Sequence, residues 1–241
     1  MIVLASQSAS RRALLSAAQV PFEALSPGVD EEAAKEALRA DGLDARALAD
    51  ALAELKARKV SRRVPGALVL GCDQTLSLDG GEERGVMIDK AVDRADAERI
   101  LRLLSGRVHH LHSAAVIVLN GEPIWRHIER VRMMVRPLSD AFIATYLDGD
   151  WDECRWCVGC YRIEGPGAQL FAKVEGSQFA IQGLPLLPLL GAPTRSPRSA
   201  EYSALIIRSI CERSYRGVFF VTSVANWRSI RVIGASSTVI M

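Results

Sequence analysis

No apolar run in the 241 residues approaches the roughly 18 to 20 that a membrane-spanning helix needs, so no such helix is expected. The N-terminus, MIVLASQS, has neither a basic stretch nor a long apolar segment, so no secretory leader is expected either. Formal net charge is only +2, which by itself demands neither nucleic acid nor an acidic membrane as partner. P-loop, dinucleotide and zinc-protease signatures are missing, as is any fixed-period repeat. Five cysteines, an odd number without a secretion signal, read as free thiols in a reducing cytoplasm. Two metal signatures are incomplete. Cys154, Cys157 and Cys160 lack the fourth ligand and following proline of an iron–sulfur run. His109, His110 and His112 lack a completing carboxylate, and a strand would turn His109 away from the other two.

What is present is ordinary globular composition, 49% hydrophobic and 24% charged, enough for one sizeable core or two modest lobes. Charge is unevenly spread. From Gly191 onward there are seven Arg, no Lys and only Glu201 and Glu212, so this tail carries +5 and residues 1–190 carry −3.

Ala67–Cys72, bounded by Pro65-Gly66 and Asp73-Gln74, reads as a strand buried on both faces. Asp73 would then stand where that strand leaves the sheet, a usual place for ligand-binding groups in open α/β sheets. A first strand, Ile2–Ala5, leads through Ser6, Ser8 and Ser10 into a helix near Arg11–Gln19. Ser8 or Ser10 can cap it, and a helix start with two guanidiniums is a plausible phosphate cradle or a solvated cap. A second strand is expected within Val20–Ser26, and Asp30-Glu31 precedes a helical stretch, where acids often only complement the dipole.

An amphipathic helix at Asp44–Arg62 carries Leu48, Leu52 and Leu55 as its stripe, with Lys56 at the stripe's edge, either snorkelling or projecting over a cleft. Asp79-Gly80 signals a hairpin returning near Gly85–Ile88 and leading to Lys90. Asp93 caps a helix with Ala97, Ile100, Leu101 and Leu104 on one face, stopped at Gly106. His112–Leu119 and Ile124–Arg136 read as strands around Asn120-Gly121. On the second, Arg130, Arg132 and Arg136 share a face, which is either solvated or a basic strip for nucleic acid. Ser139 caps a helix through Leu147. Gly159, Gly165 and Gly167 allow close backbone approach or mark bends. Leu170–Val174 and Phe179–Ile181 read as strands, with a last helix from Gly183-Leu184-Pro185-Leu186.

Arg11, Arg12, Glu31, Lys56, Asp73 and Lys90 thus stand at element ends. Cations plus carboxylates of this kind suit a polyphosphate with a divalent ion, because Mg2+ and Mn2+ prefer oxygen ligands. Spacing alone does not bring them together.

The ordered segments LASQSASRRALL, VDE, LAELKA, LGCDQT, Lys90 to Gly106 ending LLSG, GCYRIEG and GLPLLPLL resemble the motifs of the Maf family over residues 1–190. Maf proteins are nucleoside triphosphate pyrophosphatases, once described as septum formation inhibitors. The resemblance implies an α/β fold: a mixed β-sheet flanked by helices, related to inosine triphosphatases, with a cleft between two lobes. It implies cleavage of the α–β phosphoanhydride to a nucleoside monophosphate and pyrophosphate, with Mg2+ or Mn2+, by a homodimer. On its motifs, Asp73 is the proton acceptor, and Ser6, Ser8, Arg11, Arg12, Lys56 and Lys90 bind phosphates. Glu31 is the acid before the first long helix and, with Asp73, would hold the metal.

Specificity falls on Ser10, Gln74 and Glu164. The subfamily preferring dTTP and UTP has Arg, Thr and Gln there; the one preferring 7-methyl-GTP has Trp, Gln and Glu. Gln74 and Glu164 match the second, whereas Ser10 matches neither, so 7-methyl-GTP-like or broad specificity is favoured over dTTP/UTP. A rival of another class is a non-catalytic nucleotide-binding regulator of cell division. Ala9 and Ala91 replace prolines usual in the family. Residues 191–241 depart from the family ending, and the charge shift there fits a reading-frame change.

Overall fold

The computed structural model describes residues 2–79 and 85–192. Its spine is β3 (Leu68–Asp79), a 12-residue strand. Leu68, Leu70, Cys72, Leu76 and Leu78 are buried on one face, and Val69, Asp73, Thr75 and Ser77 on the other. A strand buried on both sides must be covered by layers above and below it. One edge of β3 pairs along its whole length, antiparallel, with β5 (Val108–Leu119). Beyond β5 follow β6 (Glu122–Val135) and β7 (Phe171–Glu175), both antiparallel. The Asn120-Gly121 link between β5 and β6 has φ of 51° and 84°, as a tight hairpin turn needs.

The other edge of β3 is interrupted. Strand β1 (Ile2–Ala5) runs parallel to it, with β2 (Phe22–Ala24) outside, but pairing stops at Ala5 opposite Gly71. The short β4 (Met87–Ile88) resumes pairing only at Leu76. Residues Cys72 to Thr75 therefore face a gap in the sheet. This corrects the expectation for Asp73: its strand does not end there. The neighbouring strand does.

Helix α3 (Ala45–Ser61), capped by Asp44, lies across the sheet face carrying Asp73. Ala49, Ala53, Ala57 and Val60 pack with Val69, Ala114, Val116 and Val118. The expected leucine stripe is corrected too: Leu48 and Leu52 are buried, but Leu55 is 39% exposed and Lys56 is buried in its place. Small alanines, not leucines, form the contact because α3 comes very close to the sheet. At Gly71 an added Cβ would stand 2.1 Å from the Ala53 carbonyl oxygen and 2.8 Å from the Ala57 Cβ. On the opposite face, α1 (Ala9–Ala17) and α7 (Leu186–Leu190) cover Ile2, Leu70 and Ile117. The far lobe packs α4 (Arg94–Leu104) and α5 (Asp140–Cys154) on the other half of β3, β5 and β6. The two lobes meet at the gap.

Phe179–Ile181, expected as a strand, lies in a short helix, α6 (Gln178–Ile181). Helix α5 runs past Leu147 because Gly149 is tolerated in open space, and Tyr146, Asp150 and Cys154 continue its buried face. Gly159 and Gly167 mark two 3-10 turns, Val158–Cys160 and Pro166–Leu170. Helix α2 (Glu31–Ala40) has no buried residue and is capped by Asp30. Among the described residues no helix is long and apolar enough to cross a membrane. The readings of residues 193–241 as a divergent tail and of Gly80 as a hairpin residue lie outside the described residues.

Candidate active site

Lys56 projects from the buried side of α3 into the sheet gap. Its Nζ donates to Asp73 Oδ1 at 2.6 Å and lies 3.0 Å from Glu31 Oε1. The side chains of Lys56 and Asp73 are 5% and 8% exposed, so this ion pair is largely dehydrated. A buried ammonium needs such partners, since neither charge is tolerated alone away from water. Two carboxylates converge on one ammonium, while Asp73 Oδ2 has no hydrogen-bond partner among the described residues.

Glu31 arrives from the first turn of α2. The preceding loop is tied to α3 by Lys59, which donates to the Gly28 carbonyl, and to the turn just after α3 by Arg63, whose Nη1 donates to the Ser26 carbonyl at 2.8 Å. Burial pushes the Glu31 carboxyl up, but the charge and hydrogen bond of Lys56, with Lys90 and Lys35 behind it, more than reverse this. The net direction is down, so Glu31 is held as an anion. Lys90 is exposed beside this cluster. Its neighbour Asp89 binds α2 through Lys35 at 3.0 Å and Arg39 at 2.9 Å.

The serine-rich turn after β1 forms the other wall. Ser8 caps α1 by accepting from the Arg11 amide at 3.4 Å, and its own amide donates to Ser6 Oγ at 3.2 Å. Arg11 folds back across the gap. Its Nη1 donates to Ser6 Oγ at 3.2 Å and to the Cys72 carbonyl at 3.0 Å, and its Nε to the Gly183 carbonyl at 2.8 Å. Three of five guanidinium donors are therefore committed to the protein, leaving Nη2 for a ligand. Arg12, one residue on, is exposed and has no ion pair among the described residues.

Of the specificity candidates, Ser10 Oγ donates to Glu164 Oε1 over a long 3.4 Å. The Glu164 loop is anchored by Arg162, which reaches Asp150 at 2.5 Å, and Gly167 packs against the Arg162 backbone. Gln74 faces the opposite side of β3 from Asp73 and bonds to Ser113 and the Ala180–Ile181 carbonyls. The structure thus gathers Glu31, Lys56 and Asp73 directly, Ser6, Ser8 and Arg11 on the adjoining turn, and links Ser10 to Glu164.

Sequence reading missed Gly71, Asp89, Ser113 and the Gly183 turn. A glycine inside a strand run was a usable signal for close backbone approach; the others gave none locally. On the arginine-bearing strand, Arg132 pairs with Glu175 at 3.4 Å and Arg136 stacks on Phe142 at 4.5 Å. A cavity of ≈ 430 Å³ near His110, His112 and Arg130 opens farther along the sheet and does not include the Asp73 cluster.

The donors available to a metal are hard carboxylate oxygens. Two carboxylates facing one buried lysine fit a Mg2+-type ion that draws its other ligands from phosphates and water. Among the described residues no group of three or more His, Cys, Asp and Glu is placed to hold a metal by itself.

A mixed α/β fold with an acid–base–acid cluster in a sheet gap, walled by a serine- and arginine-bearing helix start, defines the class. The chain belongs to the Maf-like protein family, whose profile matches residues 1–192. Among curated relatives, it is 50% identical over 189 residues to a nucleoside triphosphate pyrophosphatase of Sphingopyxis alaskensis, covering 78% of this chain and 93% of that one. A protein of the same description from Caulobacter vibrioides is also 50% identical, with 78% and 92% covered. A solved HAM1 protein from Coxiella burnetii is 17% identical, with TM-score 0.37 over 56% of this chain and 72% of that one, too distant to bear on the chemistry.

Proposed function

We propose that this protein hydrolyses the α–β phosphoanhydride of nucleoside triphosphates, releasing a nucleoside monophosphate and pyrophosphate. The observation that carries the proposal is the Glu31–Lys56–Asp73 cluster, open to the gap beside Ser6 and Arg11. The names of the 50%-identical relatives support the same reading.

In this mechanism Asp73 Oδ1 is fixed by Lys56, and the unengaged Oδ2 orients a water and takes its proton. The water oxygen bonds to the α phosphorus as the bond from that phosphorus to the α–β bridging oxygen breaks, and the electron pair leaves on pyrophosphate. Arg11, held rigidly, offers Nη2 to phosphate oxygens, while Lys56, Lys90 and Arg12 add positive charge where negative charge grows. Ser6 and Ser8 line the same turn. Glu31 and Asp73 would hold Mg2+ or Mn2+, which when bound supplies charge neutralisation to the phosphates. The homodimer implied by the resemblance is part of the proposal.

For the base, Gln74 and Glu164 favour a guanine-type nucleotide such as 7-methyl-GTP, or a broad range, over dTTP and UTP. Carboxylate and amide oxygens accept hydrogen bonds that guanine can donate.

The deciding measurement is pyrophosphate release from canonical and methylated triphosphates with Mg2+ or Mn2+. Asp73→Asn is expected to lose at least about 100-fold in kcat while still binding nucleotide. Binding without turnover by the unaltered protein would replace the enzyme with a nucleotide-binding regulator.

A further inference from the structure

We infer that Ser113 is a positioning residue for base recognition: it fixes the Gln74 amide so that only a hydrogen-bond acceptor is offered to the ligand. This rests on the nucleotide-hydrolase reading and adds a residue to it that no site motif contains.

Ser113 stands in β5 opposite Gln74 and is completely buried. Its single hydroxyl proton is committed to the Ala180 carbonyl at 2.6 Å. Ser113 Oγ is therefore left as an acceptor, and Gln74 Nε2 donates to it at 2.8 Å. The same Nε2 lies 2.9 Å from the Ala180 carbonyl and 3.0 Å from the Ile181 carbonyl. Three oxygens surround one NH2 group. Turning the amide over would set the Gln74 carbonyl against the Ala180 and Ile181 carbonyls and draw the Ser113 proton away from Ala180, so this environment dictates the orientation.

The consequence is chemical. With both amide protons consumed, Oε1 is the one hydrogen-bonding atom of the side chain without a partner among the described residues, and Gln74 is only half-buried. A glutamine normally recognises either a donor or an acceptor by rotating; this one offers an acceptor only. Glu164, held by Ser10, also accepts. The Ala180–Gly183 turn that locks Gln74 at one end takes the Arg11 hydrogen bond at the other, so base and phosphate grips share one support. An acceptor-only wall favours a base edge bearing donors, as guanine's N1–H and exocyclic amine do. It penalises edges that present carbonyls, since a buried acceptor facing an acceptor is left unsatisfied.

The experiment compares Ser113→Ala with the unaltered chain in two readouts. Alanine is smaller than serine and sits beside Ala114 and Ala115, so the strand is not overfilled. First, the Gln74 side-chain NH2 pair in a 15N NMR spectrum, assigned by its loss in Gln74→Ala, is expected to exchange with water about tenfold faster in Ser113→Ala. Second, the ratio of kcat/KM for GTP over UTP is expected to fall about 3- to 10-fold, mainly through KM for GTP, with kcat nearly unchanged. In Gln74→Ala the Ser113→Ala change should have no further effect on that ratio. Unchanged amide exchange overturns the lock. Faster exchange with an unchanged ratio, or an equal loss for both nucleotides, overturns the role in recognition. A chain that releases no pyrophosphate from any nucleotide defeats the hydrolase reading instead, while the NMR comparison still decides whether Ser113 fixes the amide.

Discussion

Helices α2 and α3 each deliver one charged group, Glu31 and Lys56, to the cluster around Asp73, and they are held in opposite ways. Helix α3 is pressed onto the sheet through fully buried alanines, so closely that only glycine fits at position 71. Helix α2 has no fully buried residue; it is tied down through Asp89 to Lys35 and Arg39, an ion-pair group still partly wet. Interior packing defines position to tenths of an ångström, whereas solvated ion pairs are weak and salt-sensitive. Lys56 and Asp73 are thus set before any ligand arrives, and Glu31 rides on an element that can yield. A rigid base beside an adjustable carboxylate lets one site accept a bulky polyanion without losing the alignment of the reacting water.

Substitutions can break that contrast from the rigid side first. Lys56→Met should cost about 3–5 kcal/mol of unfolding free energy in denaturant titration, because it strands a dehydrated Asp73 carboxylate next to Glu31. A loss below about 1 kcal/mol would show that water already reaches the pair. Next, Gly71→Ala should cost about 3 kcal/mol, since the new methyl overlaps a backbone oxygen that cannot rotate away. Calorimetry should show a lowered Tm, and full activity at an unchanged Tm would mean that α3 is free to lift.

The yielding side gives smaller effects. Asp89→Ala removes both anchors of α2 and should raise KM for the triphosphate about 2- to 5-fold with little change in Tm. A Tm drop comparable to that of Gly71→Ala would erase the distinction between the helices. The smallest effect is a pH dependence at Glu31. Its folded pKa lies below the reference value of 4.5, so its stabilising contribution is complete above 4.5 and is lost as pH falls through the folded value. Glu31→Gln should therefore be less stable than the unaltered chain at neutral pH and indistinguishable from it in strong acid. A deficit that persists at low pH would trace to packing, not charge.

Features governed by neighbouring residues were legible in the sequence. Asp93 caps the helix it precedes, Ser139 caps α5, and Asn120-Gly121 turns a hairpin. Features governed by distant partners were not. Nothing near Asp73 in sequence reveals that β1 stops at Ala5, although that ending creates the gap. The exposed Leu55 and buried Lys56 follow from how near α3 lies to Gly71, which a leucine period cannot express. Phe179–Ile181 is too short for two-residue and 3.6-residue periods to be told apart. The motif resemblance supplied the membership of Asp73, Lys56 and Glu31 in one site; the structure supplied the arrangement and the supporting residues Ser113, Asp89 and Gly183.

The Arg11–Gly183 hydrogen bond joins groups 172 positions apart. During synthesis, the guanidinium near the front of the chain has only Ser6 and the Cys72 carbonyl to hold it until Gly183 has left the ribosome. A nascent or clipped polypeptide ending short of that turn would carry its acid and lysine yet lack a finished anion grip, so catalytic competence is withheld until that turn has been made.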